Sequence, residues 1–178
     1  MEPNTSADRI DFSQLFATTR ARVYFVWLVI VVVGFVATHF HQEKNINALW
    51  FFLSVFGLGY MYKTMPMRVK QMRNIFLAWL IPITVGMVVS AAVFYVNSPA
   101  AGDILANLGA FWMIVMAVGF AANGMVDPPG RLYWMAVVAN LAGGIACFMF
   151  DSLVPMQYVI AAIVSGWSML SLWLFRAS

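Results

Sequence analysis

Long apolar stretches alternate with short polar connections along the whole chain. Six stretches contain no Asp, Glu, Lys or Arg, and each holds about as many residues as a helix needs to cross a bilayer. Continuous apolar runs such as residues 27–33 lack the alternation of a membrane β-strand. The pattern therefore predicts an all-α integral membrane protein, a six-helix up-down bundle. The predicted spans are Val23–His39, Asn47–Tyr62, Asn74–Val96, Ile104–Val126, Leu132–Phe150 and Leu153–Phe175.

The spans and their connections divide the chain into three parts. Residues 1–22 form a polar N-terminal leader, residues 23–175 the transmembrane domain, and residues 176–178 a short C-terminal tail. Apolar residues in the leader, between positions 10 and 16, are compatible either with an interfacial helix or with a disordered segment. Almost every other residue belongs to a span or a tight connection, so we expect no soluble domain.

The composition supports a membrane protein. Hydrophobic residues make up 63% of the 178 residues and charged residues only 10%, compared with about 25% charged residues in an average soluble protein. A water-soluble domain of this size has too little interior to hide so much apolar surface. The lipid bilayer is therefore the first expected partner of this chain.

The positive charges fall almost entirely on one side of the predicted spans. Nine of the ten Lys and Arg residues precede span one, follow span six, or lie between spans two and three or four and five, and only Lys44 falls on the other side. The positive-inside rule then places both termini in the cytoplasm and the protein in the plasma (inner) membrane. Because topology explains the net charge of +3, we expect no nucleic-acid partner.

A Trp-to-Gly spacing of seven residues recurs in four spans and suggests an internal repeat. Seven residues are about two helical turns, so Trp and Gly of each span share one face. Span six keeps Gly166 but has Val159 in the Trp position. Two explanations stay open: three helical hairpins descended from one unit, or the general preference of membranes for interfacial Trp and packed Gly. The four pairs are Trp27 and Gly34, Trp50 and Gly57, Trp79 and Gly86, and Trp112 and Gly119.

Two amides are candidates for a polar cavity or for helix contacts. Asn140 lies near the middle of span five, on one face with the small residues Ala136 and Gly144. An unpaired amide there costs several kcal/mol, so we expect a hydrogen-bond partner on another helix or a polar ligand. We expect Asn107, near the outer end of span four, to lie close to Gln157. The two residues would then belong to a weakly acidic, polar mouth at the outer end of the bundle. Either this mouth admits a solute, or its residues simply face the membrane interface.

Pro82 and Trp112 complete the candidate cavity residues. Pro82 lies inside span three, where it removes a backbone donor and should kink the helix. Kinks form hinges or ligand clefts in some transporters and shape packing in others. Trp112 lies deeper than the other tryptophans and either lines a pocket or packs. The aromatic belts at the two interfaces are expected to contain Trp27, Trp79, Trp134 and Trp173 on the cytoplasmic side and Trp50 and Tyr95 on the outer side.

The longest cytoplasmic connection, residues 63–73, is strongly basic. Arg68, Lys70 and Arg73 are candidate contacts for anionic lipid headgroups, each contributing roughly 1 kcal/mol near the membrane surface. The alternative is that these charges only set the topology.

The residues missing from the spans exclude several activities. Proton- or sodium-coupled transport usually requires an ionisable residue within the membrane, and the six predicted spans contain no Asp, Glu, Lys or Arg. Cys147 is the only cysteine, so no thiol pair exists. On a helix, His39 and His41 point to nearly opposite faces and would not bind one metal ion together. Only an extended segment could bring them together, with Glu43 as a further ligand. We therefore predict no catalytic residues, no cofactor and no metal, and expect that this chain is not an enzyme.

Two classes of function remain. The first is a non-catalytic subunit or self-associating scaffold of a membrane assembly, favoured by the uncharged spans and the small-residue faces. The alternative is a carrier or membrane binding subunit for a neutral or apolar small molecule. A carrier should gather its polar side chains around one space, whereas a scaffold should distribute them among separate helix contacts. The test residues are Asn107, Asn140, Ser54, Thr84 and Ser165.

Overall fold

The computed structural model describes residues 18–41, 46–96, 98–127 and 130–177. Their regular secondary structure is entirely helical, which confirms the prediction of an all-α protein. The predicted leader helix, Lys44 and the two prolines after Asp127 lie outside the described residues. The helices are α1 (Thr19–Phe40), α2 (Ile46–Thr64), α3 (Lys70–Ala92), α4 (Pro99–Ala106), α5 (Leu108–Val126), α6 (Arg131–Met149), a 3-10 helix (Asp151–Met156) and α7 (Gln157–Ala177).

Five segments of the described chain are long and apolar enough to cross a membrane. They comprise α1, α3, α5, α6 and the continuous segment from Asp151 to Arg176. The chain is therefore consistent with a helical membrane protein. Helix α2 has 19 residues but is not among the five, and its sequence includes Asn47 and Lys63 near its ends. The structure thus supports five of the six predicted spans by length and composition.

The six long helices form a closed ring in which neighbours run in opposite directions. The order around the ring is α1, α2, α3, α5, α6 and α7, and α7 packs most extensively on α1. Thr18 at the start of α1 contacts the main chain near the end of α7, and Gly166 in the middle of α7 packs on Val32 of α1. This alternation brings the starts of α1, α3 and α6 to the same end as the finishes of α2, α5 and α7.

The prediction of one continuous helix over Ile104–Val126 is wrong. The chain breaks at Asn107, whose φ of −113° and ψ of 33° lie outside the helical range, and this residue separates α4 from α5. Gln157 at the start of α7 stabilises the break. Its Oε1 accepts hydrogen bonds from the backbone N–H groups of Gly109 (2.8 Å) and Ala110 (3.3 Å), which are donors that a new helix leaves without intrahelical partners.

Two other predicted boundaries also differ from the structure. Helix α3 ends at Ala92, four residues before Val96, and a turn follows. The last span was predicted to begin at Leu153, but the 3-10 helix occupies residues 151–156 and α7 begins at Gln157. Short 3-10 segments commonly precede α-helices. The connection between α6 and α7 is therefore a short helix of six residues, whereas the predicted spans left only Asp151 and Ser152 between them.

The tryptophans and glycines of the first four long helices interlock in pairs. A Cβ atom added at Gly34 of α1 would lie 2.5 Å from the ring of Trp50 in α2, and one at Gly57 of α2 would lie 2.8 Å from the ring of Trp27 in α1. Each helix therefore places its Trp ring over the Gly of its partner. Close approach through glycine is how membrane helices pack without a hydrophobic drive between them.

The α3–α5 hairpin repeats this reciprocal arrangement. A Cβ atom at Gly86 would lie 3.0 Å from Trp112, and one at Gly119 would lie 2.6 Å from Trp79. The two hairpins then meet through their rings: Trp27 stacks on Trp79 with centroids 6.4 Å apart, and Trp50 stacks on Trp112 at 5.7 Å. We call Trp27, Trp50, Trp79 and Trp112 the tryptophan core.

This packing corrects the interface prediction for three tryptophans. Trp27, Trp50 and Trp79 are buried inside the bundle instead of facing an interface. Two of their ring N–H groups have internal hydrogen-bond partners, Met61 Sδ for Trp27 (2.9 Å) and Thr38 Oγ1 for Trp50 (2.8 Å). Buried Trp usually finds such a partner. The shared Trp–Gly face therefore reflects packing between helices and not an interfacial position of the Trp side chains.

The α6–α7 hairpin packs differently. Gly143 of α6 faces Met113 and Val164, and Gly166 of α7 faces Val32 of α1 rather than a ring of α6. Polar side chains, described below, connect the two helices instead. The reciprocal Trp–Gly pairing is thus seen in the first two hairpins and not in this one.

Candidate functional site

One end of the bundle carries all the basic residues that the structure describes. The alternating helix directions bring them together at the starts of α1, α3 and α6 and the finishes of α2 and α7. We call this the basic end. Of the described acidic residues, Asp127 alone lies there. The basic residues are Arg20, Arg22, Lys63, Arg68, Lys70, Arg73, Arg131 and Arg176.

Asp127 is fully buried and bonded through both carboxylate oxygens. Arg20 donates to Oδ1 at 2.5 Å, and Arg176 donates to Oδ2 at 2.6 Å. The Tyr133 hydroxyl also donates to Oδ2 at 2.6 Å, and Gln71 Nε2 lies 3.4 Å from Oδ1. A buried carboxylate requires this degree of pairing because an isolated buried charge is strongly destabilising.

A second phenol extends this network into the bundle. The hydroxyl of Tyr24 hydrogen-bonds to that of Tyr133, and both rings are buried. We call Arg20, Tyr24, Asp127, Tyr133 and Arg176 the basic-end cluster. Together with Gln71, it joins α1, α3, α6 and α7 to the residue that ends α5.

Local structure determines where the carboxylate lies. Asp127 follows the last residue of α5, and its backbone N–H still donates to Asn123 at 2.9 Å, so the side chain leaves from the final turn of the helix. Thr18 caps the start of α1 by accepting from Ala21 N, and its hydroxyl donates to the carbonyl oxygen of Arg176 at 2.9 Å. These contacts hold the two arginines on either side of one carboxylate.

Among the residues that the structure describes, the cluster holds two guanidinium groups against a single carboxylate, so its members carry one net positive charge. Asp127 is 0% exposed, whereas the side chains of Arg20 and Arg176 are 21% and 14% exposed. Since both carboxylate oxygens already accept short hydrogen bonds, Asp127 is not an available general base. The arrangement is suited to electrostatic binding and to holding helix ends together.

A cleft of about 450 Å³ opens beside this cluster. We call it the basic cleft. Arg20 and Arg176 form its charged wall, and the hydroxyl-bearing residues Thr18 and Thr19 lie next to them. The other residues that line the cleft are apolar, and they are Pro66, Met72 and Phe175.

Asn140 lies in a contact between α6 and α7. Its Nδ2 donates to the carbonyl of Ala136 at 2.9 Å and to Ser168 Oγ at 3.2 Å, and its Oδ1 accepts from Ser165 Oγ at 2.6 Å. Asn140 and Ser165 are both 0% exposed. We call this set the Asn140 contact. Its hydrogen bonds connect α6 to α7, and the described residues around the amide are buried and leave no cavity for a ligand there.

Asn107 and Gln157 come close together at the other end of the molecule, as the sequence predicts. Gln157 Nε2 donates to the carbonyl of Ala106 at 2.8 Å, directly beside Asn107. The Asn107 amide donates to the carbonyl of Asp103 at 3.1 Å. Asp103 and Asp151 are exposed. The role of this polar mouth in admitting a solute stays a prediction.

Pro82 and Trp112 do not share a space with Asn140. Pro82 is half-buried inside α3 and lines a shallow groove against α5, together with Ala78 and Val118. Trp112 is buried in the tryptophan core. The structure thus does not bring together the three residues that sequence reasoning combined into one cavity.

Arg68, Lys70 and Arg73 lie exposed around the start of α3. None of them lines the basic cleft. Their contact with anionic lipid stays a prediction.

Two other test residues, Ser54 and Thr84, both line a groove between α2 and α3. This α2–α3 groove has a volume of about 500 Å³ and an almost entirely apolar wall. The five test residues are thus distributed among three places: this groove, the Asn140 contact and the break at Asn107. The residues that line the groove are Asn47, Ala48, Phe51, Ser54, Val55, Leu58, Ile83, Thr84, Met87, Val88 and Ala91.

Sequence reasoning missed the basic-end cluster because Asp127 precedes Pro-Pro-Gly, and this local sequence is typical of a turn. A signal was nevertheless present. Asp127 is the only acidic residue after the leader that falls on the basic side of the predicted spans. A lone carboxylate among many cations is expected to pair with some of them.

No known protein-family model, curated protein or solved structure matches this chain.

Proposed function

We propose that this chain is a non-catalytic subunit of a membrane assembly. It would cross the plasma (inner) membrane six times, with both termini in the cytoplasm. The observation that carries this proposal is the separation of the polar side chains. Asn140 is engaged in a helix contact, Ser54 and Thr84 line the α2–α3 groove, and Asn107 lies at a helix break. A carrier is expected to place such groups around one space.

The α2–α3 groove is the surface that we assign to a partner subunit. Helix α2 exposes three aromatic residues, Phe51, Phe52 and Phe56, and Phe51 lines the groove. Ser54 and Thr84 give its walls small hydroxyl-bearing positions, which membrane helices use for close approach and interhelical hydrogen bonds. The proposed occupant is a transmembrane helix of another polypeptide, and it would also cover the exposed aromatic side chains of α2 that border the groove.

The same proposal includes a common origin for the first two hairpins. The reciprocal Trp–Gly contacts of α1 with α2 and of α3 with α5 support it, as does the pairwise stacking of the four rings. The support does not extend to α6 and α7. Their Gly166 faces α1 instead of its hairpin partner.

The basic-end cluster supports a structural rather than catalytic role. Both oxygens of Asp127 are occupied by Arg20, Arg176 and Tyr133. We propose that this carboxylate fixes the helix ends and that the chain alone catalyses no reaction.

Native mass spectrometry tests the proposal on the tagged full-length chain, released from nanodiscs made with its own membrane. We expect a stoichiometric second polypeptide. The variant Thr84→Trp, which fills the groove from its exposed α3 wall, should lose that polypeptide. The control Val138→Trp, on the exposed face of α6, should retain it.

Other results would change the assignment. A fixed homo-oligomer that Thr84→Trp dissociates would replace the partner subunit by a second copy, making the chain a self-associating scaffold. A monomer that carries a reproducible small adduct, lost in Thr84→Trp, would favour the carrier of a neutral or apolar molecule. That second function is favoured by the groove volume of about 500 Å³, which lies in the usual range for small-molecule sites.

A further inference from the structure

The basic cleft combines a charged wall with an apolar rim. Arg20 and Arg176 form the wall, while Met72 and Phe175 lie on the rim. Phe175 is partly exposed on the outer surface of α7, and the Arg176 guanidinium lies 5.5 Å from its ring centroid. A ligand that fits this cleft must therefore carry negative charge at one end and tolerate apolar contact at the other.

The charges in the cleft are arranged asymmetrically. The neutralising carboxylate of Asp127 is fully buried behind the two arginines and does not line the cleft. The two guanidinium groups remain partly exposed and do line it. Consequently the excess positive charge of the cluster faces the cleft, and the negative charge faces the protein.

The start of α1 adds to this positive field. Thr18 and Thr19 stand at the N-terminus of this 22-residue helix, whose first turn contains no acidic residue. The N-terminus of a helix carries a partial positive charge and favours anions nearby. Three features from two helices thus converge on one cleft: Arg20, Arg176 and the α1 terminus.

We propose that the basic cleft binds a phosphate group, and that this group belongs to an anionic phospholipid of the surrounding leaflet. The arginines offer the planar N–H donors that suit phosphate oxygens. The apolar rim of Pro66, Met72 and Phe175 lies where a glycerol backbone and the first acyl carbons would follow. The cleft is distinct from the exposed group formed by Arg68, Lys70 and Arg73, which offers charge without an enclosing wall.

The first test compares lipid retention in nanodiscs that contain equal amounts of phosphatidylglycerol and phosphatidylcholine. Native mass spectrometry counts the lipids that leave the disc with each protein. We expect wild-type protein to retain phosphatidylglycerol selectively. Thr19→Glu places a negative charge in the cleft without removing a member of the cluster, and a Glu at this position suits the helix terminus. It should lower the retained phosphatidylglycerol about fivefold.

Arg131→Gln is the matched control. It changes the net charge by the same single unit on the basic end, but Arg131 does not line the cleft. Retention in this variant should remain close to that of the wild type. Equal phosphatidylglycerol retention in wild type and Thr19→Glu, or an equal loss in both variants, would overturn the proposal.

A second variant makes the cluster beside the basic cleft more positive, whereas Thr19→Glu makes the cleft more negative. Asp127→Asn keeps the shape of the side chain and releases both arginine charges toward the cleft. We expect a rise of about fivefold in phosphatidylglycerol retention, provided that the variant protein folds. A purely structural cluster predicts a fall instead, because the helix ends would loosen; a fall in folded protein would contradict a headgroup site.

The source of the phosphate is tested with the free anion. Inorganic phosphate is titrated against detergent-purified, lipid-stripped protein while the melting temperature is followed. Stabilisation by submillimolar phosphate without selective lipid retention would reject the phospholipid and assign the cleft to a soluble phosphate. Selective lipid retention with no response to submillimolar phosphate supports the phospholipid.

Discussion

The basic-end cluster and the Asn140 contact both bury polar side chains, but they differ in charge and in reach. The Asn140 contact is neutral and joins two helices, α6 and α7. The basic-end cluster is charged and joins the ends of α1, α5 and α7 to α6, with Gln71 of α3 beside it. One contact pairs neighbours in sequence, and the other unites distant parts of the chain.

The difference follows from what each group can bond. An amide both donates and accepts, so Asn140 satisfies part of its need on the carbonyl of Ala136, one turn away in its own helix. An ionised carboxylate only accepts. Asp127 therefore needs N–H and O–H donors from other elements, and its donors come from positions as far apart as Arg20 and Arg176. A buried negative charge thus determines the long-range arrangement more strongly than a buried amide.

The largest effect should come from Asp127→Ala, which breaks the charged contact. Removing one partner of a buried ion pair is strongly destabilising, and two mostly buried arginines would lose their shared carboxylate. We expect the free energy of unfolding to fall by about 3 kcal/mol, measured by equilibrium unfolding in mixed micelles. Asp103→Asn, an exposed acid at the opposite end, is the control. An unchanged unfolding midpoint for Asp127→Ala would show that the basic-end cluster does not stabilise the fold.

Tyr133→Phe sharpens the comparison because it leaves the ion pairs in place. It removes the hydrogen bond to the charged acceptor and also the oxygen that accepts from the Tyr24 hydroxyl, and we expect a loss of about 2 kcal/mol or slightly more. Tyr24→Phe removes only the neutral bond to Tyr133 and should cost about 1 kcal/mol. The same unfolding assay measures both. If Tyr24→Phe proved the more destabilising of the two, the carboxylate would not be the centre of the network.

The smallest effect should come from Asn140→Ala in the neutral contact. Interhelical hydrogen bonds in membrane proteins contribute modestly, and we expect a loss of about 1 kcal/mol. Ser171→Ala is the control, since the Ser171 hydroxyl bonds only within its own helix, to the carbonyl of Trp167. Unfolding in mixed micelles again gives the comparison. A loss for Asn140→Ala as large as that for Asp127→Ala would contradict the ordering by charge.

The periodic features of the sequence predicted the helices well. For the tryptophans, they predicted that each Trp shares a helix face with a Gly, but not which helix that face contacts. A spacing of seven residues places Trp27 and Gly34 on one face whatever the neighbouring helix is. It does not say that Gly34 accepts Trp50, because the partner depends on helix rotation and order. The general preference of Trp for membrane interfaces favoured the wrong location. Tertiary packing determined the outcome.

Features that depend on contacts between distant residues were the ones that sequence reasoning missed. The break at Asn107 depends on the Gln157 side chain, which lies 50 residues further along the chain and supplies the missing acceptor. The burial of Asp127 depends on donors from both ends of the described chain. The Pro-Pro-Gly sequence that follows Asp127 predicts a turn. A local sequence pattern cannot predict a hydrogen bond between Asp127 and residues that are distant in the chain.

The contact of α1 with α7 has a consequence for biosynthesis. Thr18 bonds to the main chain of Arg176, 158 residues later, so α1 is synthesised well before α7, and its most extensive helix contact forms only when α7 has been made. Until then the Asp127 carboxylate has Arg20 as a partner but lacks Arg176. Until α7 is in place, the nascent protein therefore leaves uncovered the face of α1 that packs on α7 in the folded structure.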